Sequence, residues 1–258
     1  MILILSLCLS SLAIAEWEII SPPYVSSHWW LNAVHFTSPN EGWAVGWDYE
    51  NYIPVLLHYE NDSWTSIVPP NVDSEEGSEG GLAVHFTSPY EGWAVGYETY
   101  LTPGKISRRR GILLHYLNGS WANVSPPNIG PNWDLSGVHF TSSNEGWAVG
   151  RTHGGPNDHG VLLHYFNGFW TSVSPPGVSS SWGLESVHFV SSGEGWAVGY
   201  DLFGTDFSQQ QGKDRGLGSM SGVERLTNQR SWLFQQTLGF PVPAQTDYRN
   251  ILSSLNST

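Results

Sequence analysis

Seven of the ten histidines in this 258-residue chain recur at fixed places. His35, His85, His139 and His188 sit in a Val-His-Phe or like triplet, and His58, His115 and His164 in Leu-Leu-His-Tyr. Four imidazoles around a channel could hold a metal ion. Repetition alone also accounts for them, and no acidic residue recurs beside them within each strand, so neither metal nor cofactor is assigned. Asp73, Glu75, Glu76 and Glu79 offer the oxygen ligands that Ca²⁺ takes, although a solvated acidic loop explains them equally. Trp47-Asp48, Tyr97-Glu98 and Tyr200-Asp201 pair a flat ring with a hydrogen-bond acceptor, the combination that grips a sugar. Trp29, Trp133 and Trp182 stand five residues before the Val of the first, third and fourth triplets, where the second has Glu79 instead, and could form a stacking ring. The competing reading for all of these aromatics is packing, at strand ends or as wedges between sheets.

Those side chains are positioned by a repeat. Glu-Gly-Trp-Ala-Val-Gly occurs four times, at Glu41–Gly46, Glu91–Gly96, Glu145–Gly150 and Glu194–Gly199. Val-His-Phe precedes each copy, and Leu-Leu-His-Tyr follows the first three. A Trp then opens a short run ending in Pro-Pro, at Trp64–Pro70, Trp121–Pro127 and Trp170–Pro176, with a fourth such run at Trp17–Pro23. Each unit reads as four strands. Asn118-Gly119 and Asn167-Gly168 mark hairpins, because both turn positions need positive φ. Pro-Pro ends the unit by removing ladder donors. No helical period runs through the repeats.

Four short strands in roughly 50 residues match a propeller blade, and one such sheet cannot cover its own faces. The chain is therefore expected to be all-β, a propeller-like array of about four four-stranded antiparallel blades. The strand counts do not close: the last blade lacks a third strand, and an incomplete or truncated ring with an exposed edge, open to edge-to-edge self-association, is expected. The organisation reads as a signal peptide at residues 1–15, repeats at 16–205 and a non-repeat tail at 206–258. That tail is polar from Gln209 to Arg230 and expected to be partly disordered. The stretch Ser231–Phe240 is mildly apolar and suits a short helix or strand.

The Gly-Trp-Ala-Val-Gly element, followed by a strand, a turn and a Trp, resembles the repeat of photosystem II stability/assembly-factor-like propellers. It is similar to the wider BNR (Asp-box) propeller class. The resemblance covers about residues 17–205 and implies a blade architecture and a binding role. The Asp box itself departs: Asn118-Gly119-Ser120-Trp121 has Asn for Asp and is shorter.

Composition excludes several functions. A formal charge of −13 leaves no basic stripe for nucleic acid and disfavours anionic membranes. The apolar run to Leu12 and the small-x-small Ala13-Ile14-Ala15 read as a secretory signal too short for a membrane anchor, so a secreted or extracytoplasmic location is expected, with no span in the mature chain. The single cysteine, Cys8, lies inside it, so thiol chemistry and disulfides are not expected of the mature chain. A sialidase-like glycosidase needs arginines from several blades, a nucleophile and an acid/base group. Within residues 16–205 the basic side chains are Lys105, Arg108, Arg109, Arg110 and Arg151, four of them in one loop. No nucleophile elbow, zinc helix motif or phosphate loop occurs. A non-enzymatic scaffold is expected, taking a protein or a glycan on the face of variable loops.

Overall fold

The computed structural model describes residues 19–70, 79–155, 158–175, 181–201 and 230–237. All described regular structure is β. Blade one comprises β1 (Trp29–Ser38), β2 (Glu41–Asp48), β3 (Ile53–Glu60) and β4 (Ser63–Ile67). Blade two follows as β5 (Gly80–Ser88), β6 (Glu91–Leu101), β7 (Ser107–Leu117) and β8 (Ser120–Val124). Blade three is β9 (Trp133–Ser142), β10 (Glu145–Thr152), β11 (Gly160–Phe166) and β12 (Phe169–Val173). Blade four holds β13 (Trp182–Ser191), β14 (Glu194–Asp201) and β15 (Arg230–Thr237). Each sheet is an antiparallel meander in chain order, four-stranded in the first three blades and three-stranded in the last among the described residues.

The third strand of blade four falls on the stretch expected, at Ser231–Phe240, to form a short helix or strand. β15 pairs with β14 so that Val198 faces Leu233 and Trp196 faces Gln235, as Val45 faces Leu56 and Trp43 faces His58 in blade one. Leu-Phe-Gln-Gln thus occupies the register of Leu-Leu-His-Tyr, a substitution that hides the repeat. Residues 19–28 form no strand, and Trp17 lies outside the described residues.

Each residue of the six-residue motif has a physical task. Its first Gly (Gly42, Gly92, Gly146, Gly195) lies beneath the Phe ring of the inner strand, where a Cβ would come within 2.4 to 2.6 Å of the ring. Its Trp reaches across to the next blade. Trp43 lies parallel to Phe86 at 5.4 Å, Trp93 to Phe140 at 5.6 Å and Trp147 to Phe189 at 5.0 Å. On its other side the same indole stacks on the His of its own third strand, as Trp43 does on His58 at 4.3 Å. A tilted contact with Tyr116 and an edge-on one with Trp121, both of the next blade, complete the socket around Trp43. Burying one indole fully removes about 150–250 Å² from water, an upper bound of roughly 4–6 kcal/mol. The last Gly (Gly46, Gly96, Gly150, Gly199) faces the inner-strand backbone, and a Cβ there would stand 1.8 to 2.0 Å from a carbonyl oxygen.

The blades pack in series through their innermost strands, β1 on β5, β5 on β9 and β9 on β13. The axial histidines follow that line, with ring centroids 4.7, 4.5 and 4.3 Å apart from His35 to His188. Blade four does not close onto blade one: the array is open, with Val34 and Phe36 exposed at one end and Val198 at the other.

Candidate functional site

The strand registers sort the connections onto two faces. The start of each inner strand, the end of the second and the start of the third meet at one face, as Trp29, Asp48 and Ile53 do in blade one. The tight turns occupy the opposite face. Asn118-Gly119 and Asn167-Gly168 adopt positive φ there, and Asn61-Asp62 does the same without a Gly. The variable loops and blade links therefore share one face, which carries the candidate site.

Several aromatics predicted for that face lie within it rather than on it. Trp133 and Trp182 are each 3% exposed. They are wedges: a Cβ on Gly111 would meet the Trp133 ring at 2.2 Å, and one on Gly160 the Trp182 ring at 2.3 Å. Their rings fill the notch left by a Gly on the preceding blade, which leaves little surface for a stacking ligand. The first junction solves the same problem differently. Blade two lacks one residue and one bulge, so Gly80, not Glu79, takes the place of Trp29 and Trp133, opposite Glu98 as they stand opposite Asp48 and Thr152. Trp47 of blade one supplies the ring, fully buried over Gly80. Trp29 is half-buried, packed with Val25 and Trp64 over Ala44, Val55 and Leu57.

The carboxylates are held in place too. Buried Asp48 accepts hydrogen bonds from the Ser26 hydroxyl at 2.8 Å, the Asn51 amide side chain at 2.7 Å and the backbone N–H groups of Glu50 and Asn51. Burial raises its pKa, but these donors outweigh that and hold it below the ordinary value. Buried Glu98 takes a two-pronged contact from Arg110, at 2.9 and 2.6 Å. Asp201 ends β14 in register with Trp182, and its side chain lies outside the description. Asp73, Glu75 and Glu76 also lie outside the described residues. Among those residues no group of His, Cys, Asp and Glu is placed to hold a metal.

The face assembles groups that the sequence did not reveal. Asp134 Oδ2 receives Arg109 Nη1 at 2.7 Å and faces His153 Nε2 at 2.5 Å, which joins blades two and three. Burial pushes the Asp134 carboxyl up, yet His153 and Arg109 bring it below its usual value. Arg109 also lies 4.3 Å over the Tyr97 ring. One junction further on, Arg151 lies 5.3 Å over the Tyr200 ring, whose hydroxyl burial pushes up to about 12. Glu185 beside it is raised mainly by burial. Tyr97 and Tyr200 thus sit among guanidinium and carboxylate groups at the junctions of blades two, three and four.

Two further features distinguish the face. Trp30, not Trp29, is the exposed indole; its centroid is 3.6 Å from Tyr49, with His28 beside both. Adjacent strand residues point to opposite sides, so aligning the repeats on Trp29 chose the inward neighbour. The second feature is an arm: β6 and β7 stay paired from Glu98–Arg110 out to Leu101–Ser107, beyond the point where the other hairpins end. Leu101 and Ile106 are exposed at its tip, with Lys105 between them.

The axial histidines of the inner strands and the histidines of the third strands each make specific contacts. His58, His115 and His164 face Glu41, Glu91 and Glu145 across the strand pair at 2.6, 3.4 and 3.3 Å. The acidic partner does recur, but across the ladder, where a search within one strand misses it. Among the axial rings, His85 Nδ1 accepts the Phe140 N–H and His139 Nδ1 the Phe189 N–H.

Comparison of the chain with protein-family models, curated proteins and solved structures finds no match. No helix among the described residues is long and apolar enough to cross a membrane.

Proposed function

We propose that the protein is a non-catalytic, extracytoplasmic binding scaffold that presents its variable-loop face to a protein partner. The β6–β7 arm carries this reading. It sets two exposed apolar side chains, Leu101 and Ile106, beside Lys105 on a rigid hairpin, a combination suited to a partner with an apolar patch rimmed by carboxylates. The resemblance to assembly-factor-like propellers points the same way. The buried carboxylates Asp48, Glu98 and Asp134 are engaged by donors that fix loops and blade junctions, which suits anchoring rather than proton transfer.

The test is affinity capture from the host's extracytoplasmic fraction with the wild-type protein and a Leu101→Asp/Ile106→Asp variant. A partner retained by the wild type and weakened about tenfold or more by the variant, with unchanged thermal unfolding, supports the reading. Equal retention by both proteins counts against it.

A second reading, glycan binding, is favoured by one observation: the exposed Trp30 ring with Tyr49 and His28. Tyr97 and Tyr200 suit it less, since a guanidinium covers one face of each ring. A glycan-array signal abolished by Trp30→Ala would move the conclusion to this reading.

A further inference from the structure

The two ends of the array are the two halves of one interface. Inside the chain that interface is built three times, with a donor side and a socket side. The donor side presents the motif Trp and the Val two residues on: Trp43 and Val45, Trp93 and Val95, Trp147 and Val149. The socket side presents the inner-strand Val and Phe, with the third-strand Tyr and fourth-strand Trp where these occur: Val84, Phe86, Tyr116 and Trp121 in blade two.

Blade one carries a socket that no blade among the described residues enters. Phe36, Tyr59 and Trp64 are already assembled, 5.1 to 5.9 Å apart, in the arrangement of Phe86, Tyr116 and Trp121. Phe36 is nevertheless 44% exposed where Phe86, Phe140 and Phe189 are 3 to 5% exposed. Val34 is 61% exposed where Val84, Val138 and Val187 are 7 to 9% exposed. At the other end, blade four carries a donor that no blade among the described residues receives. Trp196 is half-buried, and Val198 is 41% exposed where Val45, Val95 and Val149 are fully buried. The outer part of the blade-one face is different, since Val25 and Trp29 cover Ala44, Val55 and Leu57. The vacancy is therefore confined to the inner strands, where the donor Trp and Val belong.

We infer that a second copy of this chain fills the vacancy, head to tail, with Trp196 and Val198 of one copy seated on Val34 and Phe36 of the other. The occupant is identified by the three internal junctions, because only a blade bearing this motif matches the socket residue for residue. The chain's N-terminal sequence agrees. Trp17–Pro23 repeats the outer-strand run, and its described part leaves Ile19 and Ile20 exposed. Two copies of four blades make eight, within the range at which propellers close, and a head-to-tail contact closes when its rotation completes a turn. This surface lies between blades, away from the loop face, so the inference stands apart from the function proposed above.

Val34→Asp and Val198→Asp each place a charge on an already exposed strand position, one at each end, so neither disturbs an internal junction. Sedimentation velocity from low to high micromolar protein is expected to show the wild type passing from one-chain to two-chain mass. Each variant alone is expected to lose the two-chain species. Mixed in equal amounts they are expected to regain it, since the first keeps its donor end and the second its socket. That rescue also shows both variants to be folded. Association should strengthen with salt, which screens the repulsion between two chains of formal charge −13. Larger masses abolished by the same substitutions leave the contact standing as an open chain. A wild type that stays at one-chain mass throughout, association indifferent to both substitutions, or failure of the mixture to pair when the wild type does, overturns it.

Discussion

At the scale of the residue, the axial histidines show how burial turns a titratable group into a structural one. His85 is pushed down to about 3, chiefly by burial and then by its neighbours His139, His35 and His188. His139 is pushed down to about 4 for the same reasons. Both rings are therefore neutral in the fold near neutrality, and each Nδ1 is free to accept the N–H of the next blade. In the unfolded chain they titrate near 6.5. Between the two values the unfolded chain binds more protons, so this stability is complete above about pH 6.5 and is lost as pH falls toward 4. The expected loss between pH 7 and pH 4 is on the order of a few kcal/mol. His85→Asn/His139→Asn keeps an acceptor and removes the titration. Urea midpoints measured at pH 7 and pH 5 should differ less for that variant than for the wild type; an unchanged difference refutes the account. The sequence displayed these histidines clearly. It did not display their partners, because a backbone N–H one blade away leaves no mark in residue type.

At the scale of the element, the two glycines of the motif are fixed by close approach. The final one lets the inner-strand backbone approach the second strand closely, and at Gly96 a Cβ would fall 1.8 Å from the Gly81 carbonyl oxygen. Backbone cannot move aside as a side chain can, so Gly96→Ala is expected to cost about 3 kcal/mol or more. Gly119 has nothing within 4 Å of a built Cβ, and only its positive φ resists substitution. Gly119→Ala is expected to cost about 1 kcal/mol. Denaturant unfolding of the two variants should rank them in that order, and equal losses would show that the close approach at Gly96 is softer than the geometry indicates. The strands, their order and the Asn-Gly turns were all legible in the sequence, since period-two patterning and turn chemistry are local. Two things were not. The shortened inner strand of blade two moved Gly80 into the place assigned to Glu79, and β15 hid behind Leu-Phe-Gln-Gln after a long intervening segment.

At the scale of the whole molecule, stability is shared along a line of junctions rather than gathered in one core. An interior junction has a blade on each side, and an end has one. Trp93→Ala is therefore expected to destabilise by about 3–5 kcal/mol. Trp196→Ala, in dilute solution where a second copy is absent, is expected to cost about 1 kcal/mol, the scale of an ordinary substitution. Unfolding followed by circular dichroism compares them, and similar losses would contradict the vacant end. The sequence by itself determined that the chain is an array of like sheets, because each sheet's oily faces and tight turns are written in its own residues. Only the tertiary structure decided which rings became wedges and which stayed on the surface. The buried Val45 and the exposed Val198 are the same residue at the same place in their repeats. What separates them is whether another blade stands alongside, a property of the assembled array and of no single segment.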